Sequence, residues 1–152
     1  MNCIRQILLV EDSPADAEMT MDALASSNVI NEIIHVEDGP AALDYLRRQG
    51  CYATRSPGNP TFILLDLKMP KMNGLEVLRE IRSDEEFCLI PIVMLTSSAE
   101  EKDMIESYRL GVNSYVVKPL NFGEFASVVA SLGVFWAAIN NPPPKARNGA
   151  KE

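Results

Sequence analysis

Residues Leu64 to Gly74 read LLDLKMPKMNG. An apolar run ends at Asp66, Met69-Pro70 turns the chain away, and Asn73-Gly74 forms the turn into a new helix. Gly74 is expected to answer a backbone requirement that a larger residue would not meet. The stretch therefore holds a strand, a loop and a helix start, with one carboxylate at the carboxyl end of the strand.

The same grammar recurs along the chain. Continuous apolar runs lie at Ile7 to Val10, Phe62 to Leu65, Ile92 to Leu95 and Tyr115 to Val117, with a weaker one at Ile33 to Val36. Continuous apolarity in short runs rich in β-branched residues predicts strands covered on both faces, as in a parallel sheet. Between them, Ala15 to Leu24, Ala41 to Leu46, Leu75 to Ile81 and Met104 to Leu110 have helical spacing, and a longer last helix is expected over about 121–139. Ser13-Pro14, Asp38-Gly39-Pro40 and Ser98 are expected to start helices, and Gly111 to close one. Strand and helix alternate five times, so the expectation is an α/β fold: a doubly wound, five-stranded parallel sheet with right-handed crossovers.

Composition sets the outer limits. With 152 residues, 47% hydrophobic and 23% charged, the chain is read as one domain over 1–140, followed by a disordered tail over 141–152. Gln49 to Pro60 is turn-rich and expected on the surface. The formal charge of -7 argues against nucleic acid as a direct ligand and favours a cation site. Cys3, Cys51 and Cys88 form neither a disulfide framework nor a zinc motif, which suits a reducing compartment, the cytoplasm. The N-terminal segment lacks the pattern of a signal peptide. Phe125 to Pro144 carries about fifteen mainly apolar residues, short of the roughly twenty that span a bilayer. Its apolar positions, Phe135 and Trp136 among them, nonetheless cover more than one stripe, so a second protein chain is expected over part of this helix.

In an open parallel sheet, ligands gather beyond the carboxyl ends of the strands. There stand Glu11 and Asp12, then Asp66, then Thr96, then Lys118-Pro119. Three carboxylates brought together repel unless a cation lies among them, and an all-oxygen donor set suits Mg2+. Beside such an ion Asp66 can act as a nucleophile toward phosphorus, Lys118 can neutralise phosphoryl oxygens, and the Thr96 hydroxyl can donate to one. His35, Met69, Met72 and Met94 read as structural.

With Glu11-Asp12, DLKMPKMNG, the Thr96 of MLTSS and Lys118-Pro119 in order, the chain resembles the receiver domains of two-component response regulators over about 5–139. The resemblance implies a strand order 2-1-3-4-5 and a phosphoacceptor role for Asp66, supplied by a histidine kinase. It implies Mg2+, replaceable by Mn2+ or Ca2+, bound by Asp12 and Asp66, by Glu11 through water, and by the Lys68 backbone carbonyl. It further implies a Thr96–Tyr115 switch pair, a phosphoryl contact from Lys118, and a cis Lys118-Pro119 bond. The long loop at Gln49 to Pro60, the LTSS run and Phe135-Trp136 are similar to stand-alone regulators paired with phytochrome-type kinases, which implies a homodimer through the last strand–helix face.

Two other functions use the same architecture. An aspartate-nucleophile phosphohydrolase needs a second acid two positions after Asp66, where Lys68 stands. A flavodoxin-like cofactor binder needs a glycine- and hydroxyl-rich first loop, where EDSPAD stands.

Overall fold

The computed structural model describes residues 6–26 and 32–144. Along the chain run β1 (Gln6–Val10), α1 (Pro14–Ala25), β2 (Glu32–Val36), α2 (Gly39–Arg47), β3 (Phe62–Leu65), α3 (Gly74–Arg82), β4 (Ile92–Thr96), α4 (Glu101–Arg109), β5 (Ser114–Val117) and α5 (Phe122–Val134). All the strand pairs are parallel, in the order β2-β1-β3-β4-β5. The expected fold and strand order are therefore observed. Cys3 and the part of the expected tail beyond Pro144 lie outside the described residues.

The pleat sorts the apolar runs into two cores. Leu8, Val10, Ile63, Leu65, Ile92 and Met94 face α2 and α3, where Leu43, Leu46, Val77, Leu78 and Ile81 meet them. Ile7, Leu9, Phe62, Leu64, Val93 and Leu95 face α1 and α5, against Ala17, Leu24, Phe125 and Val129. Burial on both faces is why β1, β3 and β4 read as continuous rather than alternating apolar runs. Register pairs Val10 with both Val36 and Leu65, and Thr96 with Val117, so the carboxyl ends of the strands lie side by side.

Helix starts follow the residues read from the chain. The Ser13 hydroxyl accepts from the Asp16 amide at 3.3 Å, and the Asp38 carboxylate from the Ala41 amide at 2.8 Å. Asn73 and Glu76 form a reciprocal capping box at 3.0 and 3.1 Å. Each such cap is worth about 1 kcal/mol. Gly111 closes α4 at φ 96°, in the left-handed region.

Ser98 departs from its expected role. Glu100 occupies the N-cap of α4 without a side-chain bond, while the Ser98 hydroxyl donates to Asp103 at 2.6 Å. The same hydroxyl accepts from the Glu100 amide at 3.3 Å, so Ser98 holds the start of α4 from two residues before its cap position. Gly74 answers the backbone requirement expected of it, and the reason is space. Its φ is not in the left-handed region; a Cβ there would collide with the Asp66 carbonyl oxygen and come within 2.9 Å of the Leu67 Cα. The requirement is close approach of α3 to the strand end that carries Asp66.

The loop Gln49 to Pro60 is on the surface but tied down. The Arg55 guanidinium donates to the carbonyls of Tyr45, Leu46, Ser56 and Gly58 and lies 4.1 Å from the centre of the Tyr45 ring. α5 widens at its end into a π-helical turn, Phe135–Ile139, closed by the Asn140 amide on the Phe135 carbonyl at 2.6 Å. The combined helix, Phe122–Ile139, agrees with the one expected over about 121–139; at 18 residues and mean hydropathy 1.6 it could cross a bilayer by length and composition alone. Its buried residues Phe125, Val129, Gly133 and Ala137 recur every fourth position and form a stripe on the protein side. Trp136 packs inward against the same core, whereas Phe135 is exposed beside it, the rings meeting edge to face at 5.0 Å.

Candidate functional site

Strand ends deliver the polar residues to one edge. The ladder runs past the last apolar pair, with the Glu11 amide on the Val36 carbonyl, the Asp66 amide on Val10 and the Lys118 amide on Thr96, at 3.1, 3.0 and 2.7 Å. These bonds hold the backbones from which the site side chains project. Carboxylate oxygens of Glu11, Asp12 and Asp66 lie within 4.8 Å of one another. Asp12 is exposed, while Glu11 and Asp66 are buried.

Lys118 reaches across from β5 into this cluster. Its Nζ donates to Glu11 Oε1 at 2.7 Å and to Asp16 Oδ2 at 2.8 Å, and stands 3.7 Å from Asp66 Oδ2. Asp16 is not among the residues expected at the site; its place one turn beyond Glu11-Asp12, in the first turn of α1, is the sequence signal that points to it.

Burial dominates the electrostatics. It pushes Glu11 up from 4.5 to about 7, against the Lys118 hydrogen bond, and the Asp66 charge adds to the rise. Asp66 is raised for the same first reason, opposed by the Lys118 charge. For Lys118, burial alone would lower the value, but bonds to Asp16 and Glu11 outweigh it and the net direction is up. A lysine that stays charged beside buried acids disposed to hold a proton is a site short of positive charge. Hard oxygen donors in that condition fit a divalent cation.

Thr96 is fully buried at the end of β4, and its Oγ1 accepts from the Ser98 amide at 3.2 Å. The Tyr115 hydroxyl donates to the Ser98 carbonyl at 2.9 Å. Thr96 and Tyr115 are thus joined through Ser98, in the loop between β4 and α4. The same loop is held by Asp103, which accepts from Ser98 and lies 3.5 Å from Lys68 Nζ. Nothing in the sequence marks Asp103 as a site residue, because alone it is an ordinary acid in the first turn of a helix. Phe135 and Trp136 stand at the end of the helix after Lys118, outside this cluster. The expected cis Lys118-Pro119 bond is not found: the described residues contain no cis peptide. Trans is lower in energy by about 0.5–1 kcal/mol even before proline, and Lys118 reaches both Glu11 and Asp16 from it.

A doubly wound sheet with an acid triad, a buried lysine and a hydroxyl-bearing β4 end defines a signal-receiving domain: the chain belongs to the response regulator receiver domain family, whose model matches residues 7–130. Among its relatives, the response regulator Rcp1 of Synechocystis sp. is 44% identical over 130 residues, covering 86% of this chain and 87% of that one. Solved structures agree. The phosphorylated cyanobacterial phytochrome response regulator RcpA superposes with TM-score 0.88 at 42% identity, over 93% of this chain and 100% of that one. The bacteriophytochrome response regulator RtBRR superposes with TM-score 0.74 at 56% identity, over 93% and 86%.

Proposed function

We propose that this chain is the receiver of a two-component relay in which Asp66 accepts a phosphoryl group from the histidine of a kinase of the phytochrome type. The carrying observation is the buried Lys118 among Glu11, Asp16 and Asp66, at the strand ends where Asp12 completes an acid triad. An Asp66 oxygen forms a bond to phosphorus as the phosphorus–nitrogen bond of the donor breaks, and the leaving imidazole keeps the electron pair and takes up a proton. Lys118 then moves onto the phosphoryl oxygens, and the Thr96 hydroxyl donates to one. Glu11, Asp12, Asp66 and the Lys68 backbone carbonyl would hold Mg2+, with Mn2+ or Ca2+ as substitutes. That ion supplies neutralisation of the developing charge.

Signalling follows from Thr96. Turning toward the phosphoryl group costs it the Ser98 amide, and the freed loop shifts Tyr115, whose hydroxyl is bonded to the same residue. The receiver unit occupies 1–140, with 141–152 as a tail, and acts in the cytoplasm. A homodimer through β5 and its neighbouring helices is supported by exposed Ile105, Tyr108, Val117 and Phe135; a monomer by sedimentation at micromolar concentration would refute it. The acceptor role is tested by labelling with a small acyl phosphate donor and Mg2+. Wild type is expected to gain one phosphoryl group that Asp66→Asn does not, and equal labelling of both would overturn the assignment.

A further inference from the structure

We propose that Asp16 is a positioning residue for Lys118, holding the ammonium back from Asp66 until a phosphoryl oxygen competes for it. An ammonium has three protons to give. Two are committed, to Glu11 at 2.7 Å and Asp16 at 2.8 Å, and the 3.7 Å approach to Asp66 is too long for a hydrogen bond. The two acids differ in kind. Glu11 belongs to the acid triad, whereas Asp16 stands on α1 with a third of its side chain exposed, against 9% for Lys118 and Asp66.

α1 has little need of this carboxylate. Ser13 caps the helix and Pro14 opens it, so an acid in the first turn adds only about half a kcal/mol through the helix dipole. Its direction is nevertheless defined, because the Ser13 hydroxyl holds the Asp16 amide and Thr20 Oγ1 donates to the Asp16 carbonyl at 2.7 Å. The result is an acid outside the triad, on a rigid turn, paired with the one lysine that the phosphoryl group requires. Moving the ammonium the remaining distance toward a phosphoryl oxygen on Asp66 draws it away from Asp16, so the strength of that pair weighs on how readily the phosphorylated form is reached. The inference rests on Asp66 as the acceptor.

The test uses beryllofluoride, a non-covalent phosphoryl mimic, with Mg2+ and the full chain. Asp16→Asn is expected to bind it about threefold to fivefold more tightly than wild type, the range of one partly exposed ion pair. Asp22→Asn removes the same charge from α1 about 9 Å further along and is expected to change nothing. Asp16→Glu, which keeps the charge, should stay near wild type. In a Lys118→Met background the Asp16→Asn effect should vanish, since its only route is the ammonium.

An Asp16→Asn affinity that is unchanged, weakened, matched by Asp22→Asn, or retained without Lys118 overturns the role of Asp16. Wild type that fails to bind beryllofluoride overturns instead the acceptor reading, and the competition falls with it. A measurement on wild type alone guards against a variant that does not fold. The Asp16 carboxyl carbon resonance should move as beryllofluoride draws Lys118 away, and a resonance that stays put overturns the proposal.

Discussion

Removing the Glu11 charge should stabilise the metal-free protein at neutral pH while impairing the site. Burial raises Glu11 from 4.5 to about 7, so its stability contribution is full below 4.5 and is lost as pH rises through about 7. Each tenfold change in proton affinity is about 1.4 kcal/mol, which makes the loss about 3 kcal/mol by pH 8. Glu11→Gln imitates the protonated acid and should recover most of it. In a chain of this size that corresponds to roughly 6–12 °C in thermal midpoint. Urea denaturation in the presence of a chelator, at pH 5 to 8, measures both proteins. Wild type is expected to weaken across that range and Glu11→Gln to weaken less; parallel slopes would mean that Glu11 does not carry the pH dependence. Saturating Mg2+ should flatten the wild-type slope, because an ion bound to the folded form favours the carboxylate.

Further perturbations test other parts of the fold. Gly74→Ala forces a Cβ into the Asp66 carbonyl and should cost about 1–3 kcal/mol by denaturant melt while slowing phosphorylation, since the displaced backbone carries Asp66. Arg82 donates to the carbonyls of Gly111, Cys88 and Ile90 and to Asn113 Oδ1 at 2.8–3.0 Å. Arg82→Lys keeps the charge but not the fork, and a loss of about 2–4 kcal/mol is expected from the stranded acceptors. Asp103 is held below its ordinary 3.8, first by the Ser98 hydroxyl and then by Lys68. Its contribution is present above 3.8 and is lost as pH falls through the lower folded value. Asp103→Asn should therefore be less stable than wild type at pH 7, with the gap closing in acid, and a gap independent of pH would contradict the account.

Much of this molecule was written locally. Strands buried on two faces need continuous apolar residues, caps need Ser13, Asp38 and Asn73, and a left-handed helix exit needs Gly111; each requirement acts within a few residues. The candidate site was legible for a related reason. In a parallel sheet every strand delivers its next residue to the same edge, so Glu11, Asp12, Asp66, Thr96 and Lys118 could be gathered without coordinates. The exceptions are contacts between elements. Asp16 meets Lys118 from 102 residues away, and Gly74 is small because α3 packs against the Asp66 carbonyl at the end of β3. Which groups arrive at the edge follows from the chain alone, because periodicity and capping act over a few residues. Which acid holds the lysine depends instead on how α1 packs beside the end of β5, a distance between side chains that no short-range rule specifies.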